Sequence, residues 1–427
     1  MALASKSEHE NYLVGNPQFT YFKGVYKRHT NFSTSFKEIL FSEEPDQSWG
    51  KKIFIKVPKD ADLLHRVYLT FDLNMSGSNH IIGLDGGFPD FIYSIIEYID
   101  IYIGDKLIDR HYAEWLYIWH DLFEKDSKKF LLGDMVSLNK GVEDGIYTYQ
   151  IPLRFWFNNN VGLSLPLVAL QYNEVKFEIK MSDRFFDYNR SQNKTLQVQI
   201  KKISLLLENY YLGNEERRMF TTNNHEYLIT QVQRGLEKTM NSNTQKMINY
   251  DLNFRYPIKE IFWRIQNTTA FGATIEYENR LGKHHFNFWN NFNYKDGGQI
   301  ERGIIKINNT IIADFREYFY KDIQNYQHHQ SSGLVNITTG KATDPNDYTR
   351  GSCIYMYSFA ITPKNHQPSG TLNFSKIENA QLRLTLQENA SMGGNEQYTR
   401  RRRLRAYALN YNVLKINEGS GNLVFVN

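Results

Sequence analysis

Apolar and polar residues alternate strictly along several short stretches of the chain. The apolar side chains occupy every second position in residues 175–181 (VKFEIKM) and in residues 381–387 (QLRLTLQ). Residues 53–57 and 99–103 show the same spacing. A period of two places the apolar side chains on one face of a strand, so these stretches predict antiparallel strands, each half buried against a second sheet. We expect many such strands of about 5–9 residues.

One alternating stretch changes phase in its middle. In LQVQIKKISLLLE, which starts at Leu196, the apolar positions alternate up to Ile200 and resume from Ile203. The shift falls at Lys201 and Lys202. An extra residue in one strand of a pair produces such a shift, so the pattern predicts a β-bulge there.

Helical spacing occurs in few places. The stretch HYAEWLYIWHDLF has an apolar stripe at helical spacing, formed by Tyr112, Trp115, Leu116, Trp119 and Phe123. The stretch FREYFYKDIQNY has a second stripe, formed by Phe315, Phe319 and Ile323. Aromatic stripes are mostly packing surfaces, so we expect each helix to pack against a sheet edge rather than to bind a cofactor.

The pattern divides the chain into two similar halves. Strand alternation stops after Glu208 and is followed by Gly213, Asn214 and the charged run EERR, and each half contains strands, one helix and further strands. This symmetry predicts an all-β fold of two tandem eight-stranded jelly-roll β-sandwiches, with a few short helices in loops. The halves cannot be aligned residue by residue from the sequence. The predicted divisions are an N-terminal assembly arm at 1–30, a first jelly roll at 31–212, an interdomain linker at 213–230 and a second jelly roll at 231–427.

Composition supports this picture. The chain has 427 residues, which is too many for one ordinary core, and 41% of them are hydrophobic. Aromatic residues make up 15%, which favours strands joined by polar loops over helical bundles. The formal charge of +4 is small for a protein that wraps nucleic acid, so we expect no direct nucleic-acid binding.

The sequence also suggests the compartment of synthesis. The single cysteine, Cys353, excludes an intrachain disulfide framework, fits a reducing compartment and is expected to be a buried thiol. No stretch of about 18 apolar residues is present, so no membrane insertion is expected. The first ten residues lack the apolar core of a secretory signal. We expect a soluble chain made in the cytosol.

No catalytic constellation emerges from the motifs. Gly-Ser-Gly at 419–421 lacks the frame of a nucleophile elbow, and no phosphate-binding glycine motif follows a strand. The pairs His284-His285 and His328-His329 lack metal-ligand spacing, since adjacent strand residues point to opposite faces. We therefore predict no catalytic residues, no cofactor and no metal, and we interpret these histidines as loop or interface residues.

Two basic stretches each allow two interpretations. The cluster between Arg400 and Arg405 could contact phosphate or an acidic partner, or it could be a solvated edge with local acidic neighbours. The stretch YLVGNPQFTYFKGVYKRHTNFS, which starts at Tyr12, could be a basic nucleic-acid arm or a packed segment. Its aromatic side chains require a hydrophobic partner, which an assembly could supply across a subunit boundary.

The N-terminal stretch GNPQFTYFKGVYKRHTNF resembles the N-terminal signature of the major capsid proteins of nucleocytoplasmic large DNA viruses. Seven further blocks are similar to this family in the same order: 99–119, 151–179, 216–229, 256–266, 326–330, 355–377 and 411–427. The resemblance covers nearly the whole chain.

The resemblance implies a structural virion protein. The two jelly rolls would stand roughly perpendicular to the capsid surface, and three chains would form a trimeric capsomer with a pseudo-hexagonal outline. Such capsomers tile an icosahedral shell over an internal membrane, contact their neighbours and lie above minor capsid proteins. The expected location is the virion capsid after synthesis in the host cytoplasm. Either the loop at 74–87 or the long stretches at 267–300 and 331–350 are expected to form the outward-facing tower tops.

The N-terminal arm is expected at the base of the capsomer, with its rings tucked under the sandwiches. The residues we expect to be critical for assembly are Asn16, Pro17, Phe22, Tyr26, Arg28 and His29. Pro17 fixes a rigid turn, and the rings contribute burial. Three alternatives stay open: a minor or vertex-associated capsid paralogue, a carbohydrate-binding jelly roll, and a metal-dependent jelly-roll enzyme.

Overall fold

The computed structural model describes residues 8–41, 44–76, 91–136, 145–183, 197–241, 246–267, 300–329, 354–386 and 401–426. Strands dominate these residues and form two β-sandwiches in tandem, each made of two sheets. The predicted all-β double jelly roll is confirmed. Cys353, the His284-His285 pair and most of the loops predicted as tower tops lie outside the described residues.

The first sandwich is built from two sheets, which we call A and B. Its strands are β1 (Phe32–Leu40), β2 (Lys52–Lys56), β3 (Leu63–Ser76), β4 (Ile96–Ile103), β5 (Lys106–Tyr112), β6 (Gly145–Pro152), β7 (Leu165–Pro166), β8 (Val175–Met181) and β9 (Gln197–Leu212). Sheet A has the order β1-β9-β3-β6 with β7 on β3, and sheet B has the order β2-β8-β4-β5. Its short helices are Pro45–Ser48, Phe91–Ser94, Ala113–Leu122, Asp126–Val136, Trp156–Asn159 and Val161–Leu163.

The second sandwich is built from sheets C and D. Its strands are β10 (His225–Arg234), β11 (Lys238–Asn241), β12 (Met247–Asp251), β13 (Pro257–Asn267), β14 (Ile300–Ile307), β15 (Thr310–Arg316), β16 (Ile354–Ser358), β17 (Leu372–Asn373), β18 (Ala380–Leu386), β19 (Arg401–Asn417) and β20 (Ser420–Leu423). Sheet C has the order β10-β19-β13-β16, with β11 and β20 on β19 and β17 on β13, and sheet D has the order β12-β18-β14-β15. The remaining helices are Asn11–Val14, Asn214–Thr222, Phe319–Ile323, Gln324–His328 and Phe374–Lys376.

The strand order of the first sandwich recurs in the second. The correspondence extends to single residues, because Asn209 and Asn410 are both buried at the same place in β9 and β19. Asn209 pairs with Ser35 on one side and Leu64 on the other, and Asn410 pairs with Gln231 and Ile258. The structure therefore aligns the two halves, which the sequence alone did not.

The alternation predicted from the sequence is present in β8 and β18, whose apolar residues are buried. The bulge predicted at Lys201-Lys202 is confirmed, since Ile200 pairs with Leu73 while Lys202 pairs with Asp72. Several strands exceed the expected 5–9 residues: β3, β9 and β19 have 14, 16 and 17. In β3 and β9, bulges explain the difference, because they break the alternation while the strand continues.

Two boundaries differ from the sequence predictions. The segment predicted as a linker at 213–230 contains the helix Asn214–Thr222 and the beginning of β10, which pairs with β19 in sheet C. In the second predicted helix, Phe315 still belongs to β15, and Tyr320, Gln324 and Asn325 are buried instead of the predicted stripe. Residues Phe319–Ile323 form a π-helical turn, which rotates the buried face relative to regular helical spacing. No helix in the described residues is long and apolar enough to span a membrane.

Candidate assembly surfaces

The six residues predicted to be critical for assembly lie in one N-terminal segment. Asn16, Pro17, Phe22, Tyr26, Arg28 and His29 are all exposed, as is every residue from 8 to 34. We call residues 8–31 the arm. Asn16 has a left-handed backbone with φ of 50°, which turns the chain after the short helix Asn11–Val14.

In the single chain the rings of the arm are not packed under the sandwiches, and their place at the base of a capsomer stays a prediction. The side chain of Phe22 is 99% exposed, and Tyr21 and Tyr26 are also largely exposed. The ring contacts of the arm are local: Phe19 and Tyr21 meet edge to face at 5.0 Å, and His29 lies 5.9 Å from Phe32. The arm therefore presents aromatic rings that the described residues of its own chain leave uncovered.

The arm is attached to the first sandwich at the start of β1. The amide of Gly213 donates to the carbonyl of Asn31 at 3.0 Å, and the ring of Phe32 meets Tyr210 at 5.9 Å. The attachment lies next to the helix Asn214–Thr222 that connects the two sandwiches. The exposed segment thus begins beside the junction between the sandwiches.

A second surface is already covered within the chain, because the two sandwiches pack on each other. The helix Ala113–Leu122 lies on the outer face of sheet C, and not at a sheet edge as the sequence predicted. Its Trp115 ring meets Phe262 of β13 at 5.5 Å and Tyr407 of β19 at 6.1 Å. Nine of the ten residues of this helix are buried. Sheet C is consequently covered on both faces.

A buried cluster of charged residues lies in the contact between the helix Ala113–Leu122 and sheet C. Glu114 accepts hydrogen bonds from Arg405 at 3.0 Å and from the Tyr407 hydroxyl at 2.8 Å, and Arg264 lies 3.8 Å away. Burial alone would raise the pKa of Glu114, but Arg405 and Arg264 outweigh it and hold this pKa below its usual value. Burial, and then Glu114, raise the pKa of Tyr407 well above its usual value. Glu114 is therefore ionised and compensated inside the interface.

The arginine-rich stretch between Arg400 and Arg405 allowed two interpretations. For the side chains that the structure describes, the contacts favour the one with acidic neighbours in the same chain. Arg403 and Arg405 lie in β19 and both pair with Glu237, at 2.9 and 2.7 Å. The positive charge is satisfied by acidic partners in the same chain. The further pairing of Arg405 with Glu114 was not predicted from the sequence; an acidic residue inside an aromatic stripe was the available signal.

The histidine pair at 328–329 ends a helix instead of lying on a strand. His329 is buried, and its Nε2 lies 2.9 Å from Oε1 of Glu260 in β13. The ring of Phe123, from the first sandwich, meets His329 at 4.5 Å. His329 is an interface residue, as one interpretation predicted. Among the described residues no group of three His, Cys, Asp or Glu side chains lies close enough to hold a metal ion.

The C-terminal hairpin forms a further contact between the sandwiches, which sequence reasoning did not predict. The turn between β19 and β20 has left-handed backbone at Glu418 and Gly419. Gly419 accepts a hydrogen bond from the amide of Tyr172 at 3.0 Å, and the amide of Gly421 donates to the Asn173 side chain at 2.8 Å. The hairpin therefore ties the second sandwich to the first.

Two family models match the chain in its two halves. "Major capsid protein N-terminus" matches residues 20–212, and "Large eukaryotic DNA virus major capsid protein" matches residues 216–422. The major capsid protein of Pyramimonas orientalis virus is 32% identical over 441 residues, covering 100% of this chain and 99% of that protein. The major capsid protein of Paramecium bursaria Chlorella virus 1 is 29% identical, covering 97% of this chain and 96% of that protein.

Solved structures agree with these matches. A crystal structure of PBCV-1 VP54, fitted into a reconstruction of the virophage Sputnik, has a TM-score of 0.76 at 25% identity and covers 96% of this chain and 100% of its own. The Faustovirus major capsid protein shares the fold, with a TM-score of 0.68 at 10% identity, 97% of this chain and 95% of its own. The repeated strand order, the exposed arm and these matches lead to one conclusion: the chain belongs to the large eukaryotic DNA virus major capsid protein family and is a structural protein of the virion capsid.

Proposed function

We propose that this capsid protein works as a homotrimer with a pseudo-hexagonal outline, and that these capsomers tile an icosahedral shell. The observation that carries the proposal is the repeated strand order of the two sandwiches. One chain supplies two similar towers, so three chains supply six. Six similar towers around one axis produce a hexagonal outline, which packs into a continuous layer.

The two kinds of contact in such a shell should differ in size. Contacts within a trimer should bury more than about 2,000 Å² per pair, as in obligate oligomers. Contacts between trimers should be smaller and more polar, so that a misplaced capsomer can dissociate. Many weak contacts still hold a shell together, because each capsomer makes several at once.

The arm is proposed to lie at the base of the capsomer, where it contacts neighbouring capsomers or minor capsid proteins beneath the shell. The exposure of its rings supports this role, because covering one ring contributes roughly 1.5–3 kcal/mol. Lys27, Arg28 and His29 add hydrogen-bond donors for acidic groups on such a partner. Asn16 and Pro17 would fix the direction in which the arm leaves its turn.

The proposal extends to chemistry and location. We propose that the chain performs no catalysis, requires no cofactor and is synthesised in the host cytoplasm. The shell would overlie an internal membrane that the chain itself does not enter. A formal charge of only +4 supports a shell protein that makes no direct contact with nucleic acid.

Light scattering on the purified protein tests the trimer. The expected mass is about three times the chain mass of 50.3 kDa, and negative-stain images should show a hexagonal outline. A mass of one chain at micromolar concentration would contradict the proposal.

Truncation tests the role of the arm. Deleting residues 1–30 should leave the thermal unfolding of the sandwiches unchanged, because every described arm residue is exposed, while shell assembly is lost. Deleting residues 1–10 is the matched control, since it keeps all six predicted residues. If the 1–30 deletion forms trimers and shells like the full chain, the proposed role of the arm is wrong.

A further inference from the structure

The strands β3 and β13, which occupy corresponding places in sheets A and C, each have a β-bulge near their first residues. In both strands the bulge follows the residue that pairs with a buried asparagine of the neighbouring strand, Asn209 in β9 and Asn410 in β19. The next residue is His65 in β3 and Lys259 in β13. Both side chains are buried, although both can carry a positive charge. His65 and Lys259 are therefore counterparts in the two sandwiches.

His65 holds the segment between β6 and β7 through two hydrogen bonds. Its ring Nδ1 donates to the carbonyl of Phe157 at 2.6 Å, and its own carbonyl accepts from the side chain of Asn158 at 2.5 Å. Both partners are buried and lie in the helix Trp156–Asn159. We call this contact the first clamp, and we call residues 155–164 the clamped segment.

Lys259 makes the same pair of contacts in the second sandwich. Its Nζ donates to the carbonyl of Pro363 at 2.9 Å, and its own carbonyl accepts from the amide of Phe359 at 2.8 Å. These partners follow β16, as Phe157 and Asn158 follow β6, and β6 and β16 occupy corresponding places in their sheets. The recurrence indicates that the bulge residue holds the following segment in place in both sandwiches.

The first clamp contains the side chain whose charge changes nearest to neutral pH. The carbonyl of Phe157 can only accept, so Nδ1 of His65 carries the proton of the neutral ring and Nε2 is the atom that a second proton occupies. Protonation therefore retains the hydrogen bond and adds a positive charge to a buried site. Such a charge is costly unless a carboxylate compensates it.

The charges around His65 do not provide this compensation. Glu208 of β9 favours the protonated ring, but Arg66 lies 3.7 Å from Glu208 and disfavours it. Tyr210 of β9 presents its ring at 5.9 Å, and the helix Trp156–Asn159 contains no titratable side chain. Burial has the largest effect and lowers the pKa of His65, although a backbone hydrogen bond and the charge of Glu208 raise it.

The first clamp lies close both to the arm and to the second sandwich. The ring of Tyr210 that faces His65 also meets Phe32, the residue at which β1 begins after the arm. The helix Trp156–Asn159 lies against β10 of the second sandwich. A rearrangement of the clamped segment would therefore act on the attachment of the arm and on the contact between the sandwiches.

We propose that the first clamp is a pH-sensitive switch, in which protonation of His65 in mildly acidic solution opens the clamped segment and loosens its contact with β10. The sign follows from the difference between the closed and the open form. The buried ring binds a proton more weakly, so below the ordinary pKa of 6.5 the open form takes up a proton that the closed form lacks. The closed form is favoured fully above this pH, and its excess falls by up to about tenfold for each pH unit below it.

Amide hydrogen exchange followed by mass spectrometry tests the switch in the full-length protein. Between about pH 7.5 and 5.5, after correction for the pH dependence of intrinsic exchange, the protection of residues 155–164 should fall at least about threefold. Strand β18 of the second sandwich is the internal reference, and its protection should change less.

Two substitutions separate His65 from other titrating groups. His65→Asn retains a donor near the position of Nδ1 but does not titrate in this range, so the protection of the clamped segment should lose its pH dependence. His366→Asn is the matched control, because His366 is exposed in the second sandwich and the substitution leaves His65 in place. The fall in protection should persist in this variant.

A further measurement needs no variant. Slow exchange of the ring Cε1–H of His65, followed by mass spectrometry over a pH series, should report a pKa below 6.5 in the unsubstituted protein. A fall in protection that is absent only in His65→Asn supports the switch. Constant protection in the unsubstituted protein, or equal pH dependence in His65→Asn, would overturn it. Should His65→Asn fail to fold, ring exchange decides, and a pKa of 6.5 or above overturns the switch.

Discussion

The arm and the helix Ala113–Leu122 are both rich in aromatic residues, yet their environments are opposite. Trp115 in the helix is buried against Phe262 and Tyr407, whereas Phe22 in the arm is almost fully exposed. The helix finds its partner in the second sandwich of the same chain. Among the described residues of the chain, none covers the ring of Phe22 in this way. Aromatic content therefore indicates that a segment requires a partner but does not identify which molecule supplies it.

The largest expected effect comes from removing the ring at the centre of the covered contact. Trp115→Ala should lower the free energy of unfolding by about 3–5 kcal/mol, because a large cavity forms between helix and sheet C. Phe22→Ala in the arm should change it by less than about 0.5 kcal/mol. Chemical denaturation of both variants measures the difference, and comparable losses would contradict the contrast between the two segments.

An intermediate effect is expected from pH, through His120 in the same helix. Burial, and then Lys129 and Arg154, lower the pKa of His120 to about 3, so it is neutral in the folded chain at neutral pH. Below its ordinary pKa of 6.5, the unfolded chain takes up a proton that the folded chain does not. Stability should therefore fall with decreasing pH between 6.5 and about 3.

The size of this pH effect follows from one proton. Between pH 6.5 and 5 the loss attributable to His120 should be about 2 kcal/mol, at about 1.4 kcal/mol per pH unit. His120→Gln cannot take up this proton, so the free energy of unfolding should depend less on pH in the variant. Equal pH dependence in the two proteins would show that His120 is not the group responsible.

The smallest effect is expected from adding one methyl group at a packed and at an open glycine. A Cβ at Gly421 would lie 2.9 Å from Ile103 and 3.0 Å from Leu170, so Gly421→Ala should cost about 1 kcal/mol. Gly24 in the arm has no neighbour within 4 Å of such an atom, and Gly24→Ala is the matched control. Thermal unfolding of both variants is the measurement. A larger loss at Gly24 than at Gly421 would mean that the arm is packed and the hairpin is free.

Alternation along the sequence predicted the strands correctly where one face of the sheet is buried and the other is polar. The alternation around Phe177 and Leu384 and the phase shift at Lys201 reflect one apolar and one polar face. Prediction was weaker in sheet C, because both of its faces are covered. There Arg405, a charged residue in a basic run, is buried against Glu114, a partner 291 positions away. Local sequence patterns carry no information about contacts between residues so far apart in the chain.

The residues predicted to be critical for assembly show the same limit: the sequence does not identify their partner. The sequence placed Asn16, Pro17 and the arm rings together, and the structure places them on one exposed segment. Their role in assembly stays a prediction, since its partner lies on another molecule. The π-helical turn at Phe319–Ile323 is a further feature that the sequence did not predict. The predicted apolar stripe assumes the spacing of a regular α-helix, whereas the π-helical turn places Tyr320 inside.

The sequence by itself determined the all-β class, the two tandem sandwiches and the family, because side-chain alternation and local motifs are properties of neighbouring residues. Only the tertiary structure decided how the halves correspond residue by residue, that sheet C is covered on both faces, and that the described residues leave the arm uncovered. Those features depend on contacts between residues hundreds of positions apart. Their energies are set by which surfaces meet in space, and local spacing does not encode that information.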